Sequence, residues 1–132
     1  MSSLPKKIFN RCKKIPVNQL ISDNIDGYYF GGVRDKRKGK ECIFYIIPNR
    51  NNLQYPYIKG FEKVEIEKLW EELLIFGFLK TIDFKTIAAE LYKEGGCCVA
   101  AFFGIINYLH PSKFIKTRGK ISINITKPIK NQ

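Results

Sequence analysis

An α+β fold in one domain follows from three features of this 132-residue chain. Residues 28–47 hold two runs of aromatic and β-branched residues, Tyr28-Tyr29-Phe30 and Lys40 to Ile47, around a polar connection that ends at Gly39; this is the pattern of a β-hairpin. From residue 62 onward apolar residues recur at steps of three and four, the period of helices packed by one face. Ile121 to Ile125 then alternates strictly between apolar and polar, as a half-buried strand does. The expected architecture is therefore an N-terminal β-hairpin region, a three-helix segment and a C-terminal β-hairpin. With 45% hydrophobic and 14% aromatic residues, the chain has enough apolar side chain for a core and lacks a disordered composition.

The elements are expected in the following order. Residues 1–24 carry Lys6, Lys7, Arg11, Lys13 and Lys14 between Pro5 and Pro16. Clustered like charge and proline predict a basic arm, with a short ordered piece near Val17 to Ile21. Residues 25–60 are β-rich, and Tyr55-Pro56-Tyr57-Ile58 reads either as a third strand or as the approach to the next helix. Residues 61–110 are helical. Glu62 to Phe76 places Ile66, Leu69, Trp70 and Leu73 on one face, with an acidic first turn that suits the helix dipole and Gly77 as a stop. A second helix is expected from Asp83 to Lys93, capped by Asp83 or Thr81 and ended by Gly95-Gly96. The third, Cys97 to Leu109, is apolar nearly all round. Such a helix is central in the core, buries a second face in a partner, or walls a ligand pocket. Residues 111–126 form a hairpin with Thr117-Arg118-Gly119-Lys120 at its tip, and 127–132 is a short basic tail.

Charge is segregated along this order. The formal net charge is +11. Residues 1–60 carry twelve Lys or Arg against four acids, 61–94 eight acids against five Lys, and 95–132 six Lys or Arg with no acid. Segregation of this kind points to a polyanionic partner, DNA or RNA. The candidate phosphate contacts are Arg34, Lys36, Arg37, Lys38 and Lys40 at the first hairpin, and Lys116, Arg118 and Lys120 at the second. The plainer account of the first cluster is a solvated loop that protects a strand edge.

Three helices followed by a hairpin with a basic tip, in residues 62–125, resemble a winged-helix domain. The resemblance implies that Lys116, Arg118 and Lys120 form the wing. It also implies a third helix that enters the major groove, and there the chain departs from the pattern: residues 97–109 contain no Lys, Arg, Gln or Ser to read base edges, only Asn107. Contacts are then expected mainly with phosphates, with little sequence selectivity. The competing expectation is a protein-interaction or small-molecule-binding module, with a homodimer formed through the Cys97–Leu109 helix.

Catalytic readings are weaker. Cys97-Cys98 follow Gly95-Gly96 at a helix start, where a thiol can be activated, in a way that superficially resembles papain-like peptidases. The single histidine, His110, lies at the far end of the same helix. A nuclease would need clustered carboxylates. The separated D…E-x-K pattern of a large nuclease family is not met, because Glu41 is followed by Cys42-Ile43. Four cysteines without a C-x-x-C pair suggest no metal site, and no cofactor fingerprint is present. Tyr28, Tyr29, Phe30, Phe44 and Tyr45 lie beside the first basic cluster, where aromatic rings could stack unpaired bases or simply face the core. No apolar run reaches the length of a membrane span and no signal peptide is evident, so the chain reads as cytoplasmic.

Overall fold

The computed structural model describes residues 4–23, 27–36 and 39–124. It is an α+β fold built on two antiparallel sheets. The larger contains β1 (Leu20–Ser22), β2 (Tyr28–Lys36), β3 (Lys40–Ile47) and β4 (Tyr57–Glu62), in the order β1-β2-β3-β4. The hairpin β2–β3 stands where the aromatic runs place it, and residues 57–62 are a strand rather than an approach to the next helix. A bulge interrupts β2 between Phe30 and Gly32. Gly32 has a φ of 98°, a conformation open to glycine and costly for other residues.

The larger sheet buries one face. Phe30, Ile43, Tyr45 and Phe61 are 1% exposed or less. Its other face carries Phe44 and Ile46, which are half-buried. Arg34 packs its guanidinium over the Phe44 ring at 4.3 Å and donates to the Gly31 carbonyl at 3.1 Å.

Residues 4–15 correct the expected arm. They include a short helix, α1 (Phe9–Cys12), and Ile8, Phe9, Cys12 and Ile15 are all buried. These apolar positions are spaced to fall on one side of a turn, while Lys7, Arg11, Lys13 and Lys14 remain in solvent. The local charge run hides an amphipathic turn that is too short to stand out by periodicity. Two buried-end interactions hold it. The Glu67 carboxylate accepts the Ile8 and Phe9 N–H groups at 2.9 and 3.0 Å, and the Trp70 indole N–H donates to the Pro5 carbonyl at 2.8 Å. Glu67 thus takes amides that α1 cannot satisfy within itself.

Helix α2 (Lys63–Phe76) follows β4 directly and buries Ile66, Leu69, Trp70 and Leu73. Its start is closed by Glu65, whose side chain accepts the Glu62 N–H at 2.8 Å. It ends at Gly77 with φ 83°, a left-handed cap. The second expected helix is two: α3 (Thr81–Ile87) and α4 (Ala89–Lys93). The break is at Ala88, with φ −118° and ψ 51°. Ala88 is fully buried, so the chain turns where a side chain larger than methyl would have to be accommodated. Asp83 accepts the Lys80 N–H at 2.7 Å at the start of α3.

Helix α5 (Cys97–Leu109) is the centre of the molecule. Cys98, Ala101, Phe102, Gly104, Ile105 and Ile106 are buried, and Tyr108 is its one exposed residue. Phe102 meets Phe61 of the larger sheet on one side and Phe84 of α3 on the other, with ring centroids at 6.2 and 5.6 Å. Gly104 faces β1 closely: a Cβ there would lie 2.7 Å from the Ile21 carbonyl carbon and 3.2 Å from the Ile21 Cβ. One apolar face of α5 is therefore packed within the chain against β1 and the rest of the larger sheet, while Val99, Ala100 and Phe103 stay half-buried.

The smaller sheet joins β5 (Phe78–Lys80), β6 (Phe114–Thr117) and β7 (Lys120–Ile123) in the order β5-β7-β6. The β6–β7 hairpin stands where expected. The three-residue β5 between α2 and α3 was not foreseen; it turns a two-stranded hairpin into a sheet. No helix among the described residues is long and apolar enough to cross a membrane.

Candidate nucleic-acid interface

The smaller sheet has one buried and one open face, and the register assigns each residue to a face. Leu79 pairs with Ile121, and both are fully buried. Side chains alternate along a strand, so Phe78 and Lys80 on β5 and Lys120 and Ser122 on β7 share the opposite face. The pairs Phe78–Ser122 and Lys80–Lys120 make two rows across it. On β6, Ile115 extends the first row and Thr117 the second. The open face thus carries one aromatic ring, two lysines and an isoleucine. Arg118 lies in the turn beyond it, while Lys116 pairs with Ile121 and so belongs to the other face, at the exposed outer edge of β6. Lys80, Lys116, Arg118 and Lys120 are all exposed.

None of these four cations has an ion-pair partner among the described residues. The Lys80 and Lys120 ammonium groups instead sit over the Phe78 ring, at 5.6 and 5.3 Å from its centroid. Two like charges opposite each other on a strand pair destabilise it unless something else is gained. Here they crowd a ring whose negative π face attracts both.

The first hairpin is different. Lys40 pairs with Glu62 and Glu41 with Lys63, each at 3.7 Å. Arg34 is spent on the Phe44 ring and the Gly31 carbonyl. Lys36 closes β2 opposite Lys40, and Arg37 and Lys38 lie outside the described residues. Beside this tip runs a cleft of about 930 Å³ along α2. Its walls mix both signs of charge, with Lys6, Lys68, Glu67 and Glu71 among them, so it is no anion channel. The two candidate clusters are also separated. The first is tied to Glu62 and Lys63 at the start of α2, whereas the second is tied to its end, where the Ile123 N–H donates to the Gly77 carbonyl at 3.0 Å. A 14-residue helix puts these anchor points about 20 Å apart. The described parts of the two clusters are thus anchored at opposite ends of α2.

Of the aromatic residues beside the first cluster, Phe30 and Tyr45 are core. Tyr28 stacks on Tyr45 with centroids at 6.3 Å, and Phe44 lies under Arg34. The ring that faces solvent among cations is Phe78, which was missed together with Lys80. Both sit in a strand too short to alternate visibly, and only the pairing with β7 shows which face they share.

The remaining titratable groups read as structure. Burial pushes the Cys12 and Cys98 thiols up to about 12, so both stay protonated at neutral pH and are poor nucleophiles. The Cys97 thiol lies 3.7 Å from the Tyr45 hydroxyl, whose own pKa is raised chiefly by burial and then by that cysteine. Cys98 and His110 stand at opposite ends of the continuous α5, about 18 Å apart along its axis. Among the described residues no three His, Cys, Asp or Glu are placed to hold a metal ion.

His110 stacks on Trp70 with centroids 5.9 Å apart and planes at 20°, and its buried Nε2 has no hydrogen-bond partner among the described residues. Burial, and then the charges of Arg11 and Lys113, hold its pKa below the ordinary 6.5. The unfolded chain therefore takes up this proton more readily than the folded one. Stability is unaffected above the unfolded pKa and falls as pH drops through and below it. The urea midpoint should decrease between neutral and mildly acidic pH, and His110→Phe should flatten that part of the profile while keeping the stack. A profile unchanged by the substitution would remove His110 from the account.

Compared with known proteins, the chain matches no family model, and no curated protein or solved structure is significantly similar to it.

Proposed function

We propose that this protein binds nucleic acid through the smaller sheet, by contacts to the phosphate backbone and with little sequence selectivity. The observation that carries the reading is the set Lys80 and Lys120 on the open face, Arg118 in the hairpin turn and Lys116 at the edge of β6 on the other face: four exposed cations around the end of one small sheet, unpaired with acids among the described residues. Lys40, Lys59, Lys63 and Lys93 have acidic partners, Lys59 in Glu94 at 3.2 Å.

The reading extends to architecture. From α2 onward the order is helix, strand, helical pair, helix and hairpin, with β5 beside β7. We take this as a winged-helix-like arrangement with β6–β7 as its wing. In that arrangement α5 is the helix that would read the major groove. It offers no Lys or Arg, and β1 lies across it, so base-edge readout is not available to it. What remains is the wing and its phosphate contacts.

The test is binding of unrelated duplex DNA and RNA, measured by fluorescence anisotropy at several salt concentrations. Four phosphate contacts imply a slope of log affinity on log salt of about −3 to −4. Raising salt from about 50 to about 200 mM should then weaken binding on the order of a hundredfold. No binding at the lower salt, or a flat dependence, would overturn the proposal.

A further inference from the structure

We infer that the open face of the smaller sheet is a stacking platform for an unpaired base, so that the preferred ligand is single-stranded nucleic acid. This rests on the phosphate-binding reading above and adds to it the class of nucleic acid. Phe78 is 37% exposed, whereas Leu79, which follows it, and Ile121, the partner of Leu79, are fully buried.

The ring is partly open to solvent. Two ammonium groups lie over it at 5.3 and 5.6 Å. An aromatic face flanked by cations matches a nucleotide strand in both of its parts. A base stacks on the ring, and the phosphates on either side of it are drawn to Lys80 and Lys120. Ile115, 38% exposed and one strand beyond Ser122, extends the apolar row for the next base or sugar. In a duplex the base faces are already stacked on one another. Phe78 then has nothing to bind, and only the cations contribute. The geometry therefore separates the two ligands through one side chain.

The experiment compares a labelled thymidine oligonucleotide, a uridine oligonucleotide of the same length and a duplex, each of about a dozen nucleotides, against the intact chain and the variants Phe78→Tyr, Phe78→Leu and Phe78→Ala. Phe78→Tyr should keep single-strand affinity. Phe78→Leu and Phe78→Ala should weaken it by about tenfold to a hundredfold while changing duplex binding by less than about twofold. Phe78→Leu keeps apolar bulk against the sheet, so its folded state can be verified by circular dichroism even if Phe78→Ala is unstable. Equal single-strand affinity for Phe78→Leu and the parent would overturn the platform and leave the phosphate reading standing, as would an equal loss on single strand and duplex. Absence of all binding by the parent chain would overturn both. Preference for uridine over thymidine, or the reverse, identifies RNA or DNA as the source of the strand.

Discussion

Gly104→Ala should destabilise the protein by more than about 3 kcal/mol, or prevent folding outright. The prediction runs against helix propensity, by which alanine in a helix interior gains about 1 kcal/mol over glycine. Here the helix is not the deciding partner. A Cβ at residue 104 would collide with the Ile21 carbonyl oxygen and lie 2.7 Å from the carbonyl carbon. Both are backbone atoms of β1, an edge strand that cannot rotate away as a side chain would. To relieve the clash, α5 or β1 must retreat, and each retreat opens space beside Phe102, Ile105 or Ile106, all fully buried. With total stability of roughly 5–15 kcal/mol for a domain, a loss of this size leaves little folded protein at physiological temperature. Urea titration of Gly104→Ala beside the control Gly39→Ala measures it. Gly39 has φ 74° but no neighbour within 4 Å of an added Cβ, so its substitution should cost only the backbone strain, roughly 1 kcal/mol. Similar losses at the two sites would contradict the close packing of α5 on β1.

Reversing charge at the smaller sheet should abolish nucleic-acid binding and leave the fold intact. Arg118→Glu with Lys120→Glu removes two phosphate contacts and adds two repulsions. Affinity should fall on the order of a hundredfold or more, uniformly across sequences, and the salt slope should become shallower by about two. Stability should change by less than about 1 kcal/mol. Arg118 is in an exposed turn, neither residue is ion-paired among the described residues, and Lys120 gives up only its place over the Phe78 ring. The reversed charge at 120 would also face Lys80 across the strand pair, an attraction in place of a repulsion. The unfolding midpoint and the anisotropy titration together separate a lost interface from a lost fold.

Much of the fold was legible in the sequence because its strongest signals are local. The α2 stripe Ile66, Leu69, Trp70 and Leu73 is buried as its spacing requires, and the all-apolar α5 lies in the centre of the core. Both hairpins stand at their aromatic or alternating runs. What could not be read depended on contacts distant in sequence. The α1 turn looked like an arm because Lys6, Lys7, Arg11, Lys13 and Lys14 dominate it locally. It is held by Glu67 and Trp70, more than fifty residues away. The break at Ala88 reflects packing that no propensity encodes. The candidate site was legible in part. Lys116, Arg118 and Lys120 were marked by their place in a hairpin tip. Arg34 and Lys40 were marked by the same signal, yet they have partners in Phe44 and Glu62. Composition counts cations and cannot say which are already engaged. Phe78 and Lys80 were missed because β5 becomes a strand only by pairing with β7.

If phosphate contact belongs to the smaller sheet and not to basic charge in general, where a charge is reversed matters more than how many are reversed. Two double reversals of equal charge test it: Arg118→Glu with Lys120→Glu at the smaller sheet, and Arg37→Glu with Lys38→Glu at the first hairpin, whose described flanks are anchored at the far end of α2. Affinities for one labelled oligonucleotide, at one salt concentration near physiological, are compared. The smaller-sheet variant should lose on the order of a hundredfold, and the first-hairpin variant less than about fivefold, the residue of a changed overall field. Equal losses would make binding a matter of net charge, and a larger loss at the first hairpin would place the interface there instead.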